Sequence, residues 1–284
     1  MPDVNSPLFI QSLSTGLEVL LAFDAERTSM NLPEIADAAG ITKSAAQRFA
    51  FTLEALGFLR KDAATKRYSL TPKALDFSYR YLLSSSLIDR ANPYLLELNR
   101  RSQETVNLSE PDGLDMVYIA RFPSPIHSIV HMPLGRRLPM FCTASGRAYL
   151  STLNENETRA VLEQSERVKY TPATETDIGK IMAMLDEARE NGYAYAFEEY
   201  YRGDLNLAVP LLGVSGRPVA AINISAAATR WRRDKLTKEI APLLIETARL
   251  ISTTPATPTA LEPFRRGYGV AEPNSRRKAK TSAS

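Results

Sequence analysis

Leu32, Ile35, Ala36 and Ala39 recur at the i, i+3, i+4, i+7 spacing of one helix face, and Ala46, Phe49, Ala50 and Leu53 repeat that spacing further on. Between the two runs, Gly40 suits the left-handed backbone that commonly ends a helix. Thr42 brings a side-chain oxygen that can cap the next one. Two short helices about a glycine-containing turn are the pattern of a helix-turn-helix. Upstream, Leu17, Leu20, Leu21 and Phe23 are expected to supply a third helix that closes the core. Downstream, "GFLRKDAATKRYSL" reads as strand, polar loop, strand, with Arg67 and Ser69 alternating against Tyr68 and Leu70. Three helices and a hairpin make a winged helix-turn-helix over 1–71.

The pattern then changes twice. Ala74, Phe77 and Tyr81 form an apolar stripe that predicts a linker helix over 72–92, with a break at Asn92-Pro93. Such a helix is either a dimer contact or packed on its own domain. From 93 to 254, β-rich runs ("TVNLSE", "DMVYIAR", "HSIVHM") precede helical ones ("ASGRAYLSTL", "ENETRAVLEQ", "TDIGKIMAMLDEARENGY"). Three more strands follow ("YAYAFEEY", "LNLAVPLLG", "RPVAAINISA"), then a helix from about Asp234 to Ser252. This order predicts an α+β domain whose antiparallel sheet carries its helices on one side. The Thr/Pro/Ala-rich stretch and basic residues of 255–284 read as a disordered tail.

Charge sharpens the first domain. The chain of 284 residues carries +3 overall. The tail accounts for more than that, with Arg265, Arg266, Arg276, Arg277, Lys278 and Lys280 against Glu262 and Glu272. Inside the helix-turn-helix, however, the sign flips. Residues 1–40 hold Arg27 against six acids, whereas 41–68 hold six bases against Glu54 and Asp62. That flip begins where a phosphate-facing surface has to begin, which favours double-stranded DNA as the partner over a plain helical hairpin with a solvated face. Ser44 and Gln47 suit base edges, and Thr42, Lys43, Arg48, Lys66 and Arg67 complete the expected DNA-binding set. No apolar run is long enough for a membrane span and no basic-then-apolar leader opens the chain. A single cysteine, Cys142, fits a reducing compartment, so the cytoplasm is expected.

No arranged acid, base or nucleophile is present, nor a glycine-rich phosphate loop, so the chain is not expected to be an enzyme or to hold a cofactor. His127 and His131 are the only histidines. In a strand they lie about 13 Å apart and cannot share a metal. Cys142 reads as a small buried hydrophobe. A ligand pocket is better supported. Val219, Ala221, Asn223 and Ser225 share one strand face, Ala220, Ile222 and Ile224 the other, and Asn206 points with Ala208 on the neighbouring strand. A small, partly polar face covered by "FCTASGRA" can hold a small ligand, with the Ala144-Ser145-Gly146 helix start receiving a carboxylate; it can equally be a water-facing sheet surface.

Taken together, "LSTGLEVLLAFD", "LPEIADAAGITKSAAQRFAFTLEALGFL", "LGRRLPMFCTASGRAYLSTL" and "NGYAYAFEEYYRGDLNLAVPLLGVSGRPVAAINIS" resemble the IclR family of bacterial transcription factors, from about Ser12 to Ser252. "VLLAFDAER", "YSLTPKALDFSYRYLLSS" and "DMVYIAR" resemble its aromatic-acid and β-ketoadipate branch. The resemblance implies a C-terminal GAF-like effector domain, a homodimer or homotetramer, and a small carboxylic acid as effector. It places the ligand lining on Val130, Leu138, Ala144, Ser145, Ala196, Asn206, Asn223 and Ser225. Ala196 stands where the family carries an acid, and Asn206 and Asn223 where it carries smaller residues, which implies an effector other than a two- or three-carbon acid. Arg121 or Arg137 can pair a carboxylate or serve a surface role. The alternative is an enzyme acting on a small carboxylic acid through the C-terminal domain; a ligand-free architectural DNA-binding protein is a third class.

Overall fold

The computed structural model describes residues 3–126 and 132–254. Val130, His127, His131 and the expected basic tail over 255–284 therefore lie outside the described residues. Two compact units meet in the chain at Ser84 and Ser85.

In the first unit, α1 (Gln11–Leu21), α2 (Leu32–Ala38) and α3 (Lys43–Ala55) precede a two-stranded wing, β1 (Leu59–Lys61) and β2 (Tyr68–Leu70). Asn31 starts α2 with a reciprocal cap. Its backbone N–H donates to Glu34 Oε2 (2.8 Å) and its Oδ1 accepts from the Glu34 N–H (3.0 Å). Gly40 turns the chain at φ +63°, and Thr42 Oγ1 accepts from the Ala45 N–H (3.2 Å) to start α3. Val19, Phe23, Met30, Ile35, Ala46, Ala50, Leu59 and Tyr68 form the core. The α1 contribution differs from expectation. Thr15 and Val19 face inward, while Leu17 and Leu21 are 46% and 80% exposed. Two residues from Val19 is about 200° around a helix, so these leucines have to face away once Val19 is buried. After the wing, α4 (Leu75–Ser84) stacks Phe77 on Phe58 at 5.6 Å between ring centroids, so the linker helix packs on its own unit through that ring.

The second unit opens with α5 (Ser86–Ser102), which runs unbroken through Pro93. The break expected at Asn92-Pro93 falls instead at Ser85, whose hydroxyl caps α5 by accepting from the Ile88 N–H. A proline inside a helix removes one N–H bond, and the burial of Leu87, Ile88, Ala91, Leu95 and Leu98 along α5 outweighs it. Then follow β3 (Thr105–Asp112), β4 (Asp115–Phe122), β5 (Arg137–Pro139), α6 (Ala144–Leu150), α7 (Glu155–Gln164), α8 (Ile178–Asn191), β6 (Ala194–Phe197), β7 (Asp204–Leu212), β8 (Pro218–Ala227) and α9 (Arg233–Thr253). The strands form one antiparallel sheet in the order β5-β4-β3-β8-β7-β6.

The helices cover both faces, not one. α5 lies on β3 and β4 and α9 on β7, while α6 and α8 pack on the side carrying Ala194, Ala208 and Ala221. The alternation in β8 is thus large against small beneath two helical layers, rather than buried against wet. The small residues let α6 approach the sheet. Gly146 lets α6 lie close against the turn that precedes it, because a Cβ there would overlap the Met140 backbone.

Candidate functional site

On the first unit, Thr42, Lys43, Ser44, Gln47 and Arg48 are all exposed. Burial of Ala46, Ala50 and Leu53 orients α3 so that Ser44, Gln47 and Arg48 point outward, while Lys43 is exposed in its first turn. Thr42 is engaged as the cap of α3. The wing residues differ from one another. Lys66, at φ +58°, is exposed and its Nζ donates to the Ala63 carbonyl (2.7 Å). Arg67 folds back, donating to Ser29 Oγ (3.1 Å), the Ser29 carbonyl (2.6 Å) and both Glu34 oxygens (3.2 and 2.7 Å). It ties the wing to α2. Sequence reading left out Arg60 and Lys61, whose exposed side chains line a wing concavity beside Arg67. Strand alternation fails to single them out because β1 has only three residues.

On the second unit, a small cavity opens between α6 and the sheet. It brings together six of the expected residues: Leu138, Ala144, Ser145, Ala196, Asn206 and Asn223. Ser225 is not among its lining residues. The cavity also takes Tyr118, Met132, Cys142, Thr143, Glu199, Tyr200, Tyr201 and Asp204, which sequence reading did not assign. Asp204 was within reach, since the alternation through Asn206 and Ala208 extends back to it. Tyr200 and Tyr201 sit in a connection with no periodicity to read.

The polar floor is a chain of hydrogen bonds. Ser225 Oγ donates to Asp204 Oδ1 (2.6 Å) and Asn206 Nδ2 to Asp204 Oδ2 (2.7 Å). Asn223 Nδ2 donates in turn to Asn206 Oδ1 (2.9 Å). Burial raises the Asp204 carboxyl above its ordinary range, against the pull of Ser225, Asn206 and the Arg121 charge. Burial likewise raises the Tyr118 hydroxyl, with the Asp204 charge adding to it. Cys142 is pushed up to about 12 by burial, which keeps it a thiol at neutral pH. Arg137 is held outside the cavity by Asp112 (2.7 Å) and Asp115 (3.1 Å). Arg121 donates to Asn107 Oδ1 (2.9 Å). At the mouth, exposed Arg136 donates to the Tyr200 hydroxyl (3.3 Å). Among the described residues no His/Cys/Asp/Glu cluster fit for a metal is present.

A carboxyl raised by folding keeps its proton in the folded chain over a range where the unfolded chain has already released it. Stability tied to Asp204 is therefore present at low pH and falls as pH rises above the ordinary value of 3.8. Wild type is expected to lose stability relative to Asp204→Asn as pH rises above 3.8 in denaturant titrations. Parallel pH dependences would show that Asp204 does not titrate this way.

Residues 12–63 match the IclR helix-turn-helix domain, and residues 79–253 match the C-terminal part of the bacterial transcriptional regulator IclR. The chain is 32% identical to the Pca regulon regulatory protein of Pseudomonas putida, over 86% of this chain and 84% of that protein. It is 34% identical to the Pca operon regulatory protein of Acinetobacter baylyi, over 85% and 87%. A crystal structure of a transcriptional regulator from Rhodococcus sp. RHA1 superposes with a TM-score of 0.76 at 35% identity, covering 86% of this chain and 97% of that one.

Proposed function

Because the chain belongs to the IclR family of bacterial transcriptional regulators and is related to regulators of aromatic-acid catabolism, we propose that it controls a catabolic operon in response to an aromatic carboxylic acid bound in the C-terminal unit. The observation that carries this reading is the cavity itself. It combines apolar and aromatic walls (Leu138, Met132, Tyr118, Tyr200) with a few convergent polar groups (Ser145, Asn206, Asn223), which is what a ring bearing polar substituents needs. Ala144 and Ser145 begin α6, and Ser145 is the group we assign to the carboxylate. Ser225 acts by holding Asp204. No helix of the described residues is long and apolar enough to cross a membrane, and we take the cytoplasm as the site of action.

On the DNA side, Ser44 and Gln47 face base edges, while Lys43, Arg48 and Lys66, joined by Arg60 and Lys61, face phosphates. Arg67 and Thr42 position these groups through the contacts already described. A duplex read as two half-sites needs two recognition helices, and the outward stripe of α1, Leu13, Leu17 and Leu21, is the face we assign to a second copy within a homodimer or homotetramer.

Two substitutions test the DNA assignment. Arg48→Ala is expected to weaken binding to all sequences and reduce the slope of log K against log salt by about 0.9. Gln47→Ala is expected to relax specificity at one base pair, by about 1–3 kcal/mol. Anisotropy titrations against a preferred duplex and its single-base variants separate the two effects. An unchanged sequence preference in Gln47→Ala would place the base-reading residues elsewhere.

A further inference from the structure

Among the described residues, the cavity is lined by two acids and by no base. Glu199 and Asp204 both line it, and no lysine, arginine or histidine does. Glu199 is already neutralised, because Arg147 on α6 donates to both of its oxygens at 2.5 and 2.6 Å. Asp204 is held differently. Its oxygens accept from a hydroxyl, Ser225 Oγ (2.6 Å), and from an amide, Asn206 Nδ2 (2.7 Å), and it is 7% exposed. From β4 it is faced by Tyr118 and Arg121, and from the connection after β6 by Tyr201. Arg121 acts on it through space, donates to Asn107 Oδ1 (2.9 Å), and is not a lining residue. The turn before α6 adds the Cys142 thiol. The charged side chains of the packed helices are engaged elsewhere, Arg147 by Glu199 and Arg233 of α9 by Glu198 (3.5 Å).

An anion entering this cavity meets a buried acid and no lining cation. Two carboxyls close together in a dry site do not both stay ionised; one of them takes a proton. Glu199 keeps its charge through Arg147, so the proton falls to Asp204. We propose that the effector carboxylate is bound together with one proton, which Asp204 takes up, so that the net charge of the site is unchanged on binding and affinity is tied to pH. This rests on the aromatic-acid reading above and adds the charge state in which the ligand is held. Burial already favours the protonated form of Asp204, which makes the proton cheap to accept. The sign follows from linkage. Affinity is highest at low pH and falls as pH rises through the value at which Asp204 releases its proton in the empty cavity, by up to about tenfold per pH unit.

The test uses the full chain and four probes in calorimetric titration: benzoate, 4-hydroxybenzoate and the amide of each, which keeps the ring and loses the charge. Titrations run from about pH 6 to about pH 8.5, where the carboxyls of the probes stay ionised. Each is repeated in two buffers of different ionisation enthalpy, and the difference in heat counts the protons taken up. An acid is expected to bind with uptake of up to one proton and to weaken as pH rises, whereas an amide shows neither effect. In Asp204→Asn the acid is expected to bind without proton uptake and with a flat pH dependence. Ser225→Ala removes a hydrogen bond that favours the ionised form of Asp204, so the fall in affinity is expected to move to higher pH. That variant keeps the test valid if Asp204→Asn does not fold. An acid that binds with no proton uptake across this range would overturn the inference and leave the aromatic-acid reading standing. Uptake that survives in Asp204→Asn, or a pH dependence unmoved by Ser225→Ala, would overturn the assignment to Asp204. Binding of neither acid would overturn the aromatic-acid reading and this inference with it.

Discussion

Replacing Glu199 by alanine is expected to destabilise the C-terminal unit by about 3–5 kcal/mol. Arg147 and Glu199 are 1% and 5% exposed and pair through two bonds, at 2.5 and 2.6 Å. The same guanidinium donates to the Phe141 carbonyl (3.0 Å) and the Tyr195 carbonyl (3.2 Å), so one side chain joins α6 to β6 and to the segment before α6. Glu199 Oε2 also accepts from the Glu175 N–H (3.0 Å). Removing the carboxylate leaves a full charge in the interior with no counter-charge and releases the chain around Glu175. Removing both partners is a different case. Arg147→Met with Glu199→Leu keeps the volume and leaves no buried charge, so the double variant is expected to be more stable than Glu199→Ala alone. The only tryptophan, Trp231, lies in the second unit and donates to Glu104 Oε1 (2.7 Å), so its fluorescence follows that unit in a urea titration. A loss below about 1 kcal/mol in Glu199→Ala would mean that water reaches the pair.

The second large effect is expected at Gly146, where alanine should cost about 3 kcal/mol, at the upper end for overpacking. The added Cβ would overlap Met140 Cα, carbonyl carbon and oxygen, which are backbone atoms and cannot turn aside as a side chain can. Relief requires α6 to move away from the Met140–Cys142 turn before it. Since α6 brings Ala144 and Ser145 to the cavity, the same substitution is expected to weaken effector binding while the DNA-binding unit keeps its fold. Tryptophan-monitored unfolding and a calorimetric titration measure the two effects. A variant with unchanged stability and affinity would show that the close approach of α6 is not needed.

The parts of this fold that were legible are those written in periodicity. The helix-turn-helix follows from the apolar spacing around Gly40 and Thr42, and the floor of the cavity from the alternation of Asn223 with Ile222 and Ile224. Three features were hidden for physical reasons. A proline reads as a break, yet Pro93 is carried inside α5 because tertiary burial outweighs one lost hydrogen bond. Small residues such as Ala194, Ala208 and Ala221 read as a weakly covered face, when their size is what admits α6 and α8 on that side. Leucines read as core, yet helical phase turns Leu17 and Leu21 outward. In the candidate site, Tyr200 and Tyr201 reach the cavity from an irregular connection, and the burial of Asp204 depends on layers that no local pattern encodes.

The account stands on coupling between the cavity and the DNA-binding surface. The direct measurement is the affinity of the full chain for a duplex it has itself selected from a random pool, at fixed salt, with and without saturating aromatic carboxylic acid. The account predicts a shift of about 5- to 150-fold, the usual range for coupled sites, and loss of that shift in Asn223→Leu. An affinity that stays the same in the presence of every aromatic acid that binds the chain would contradict it.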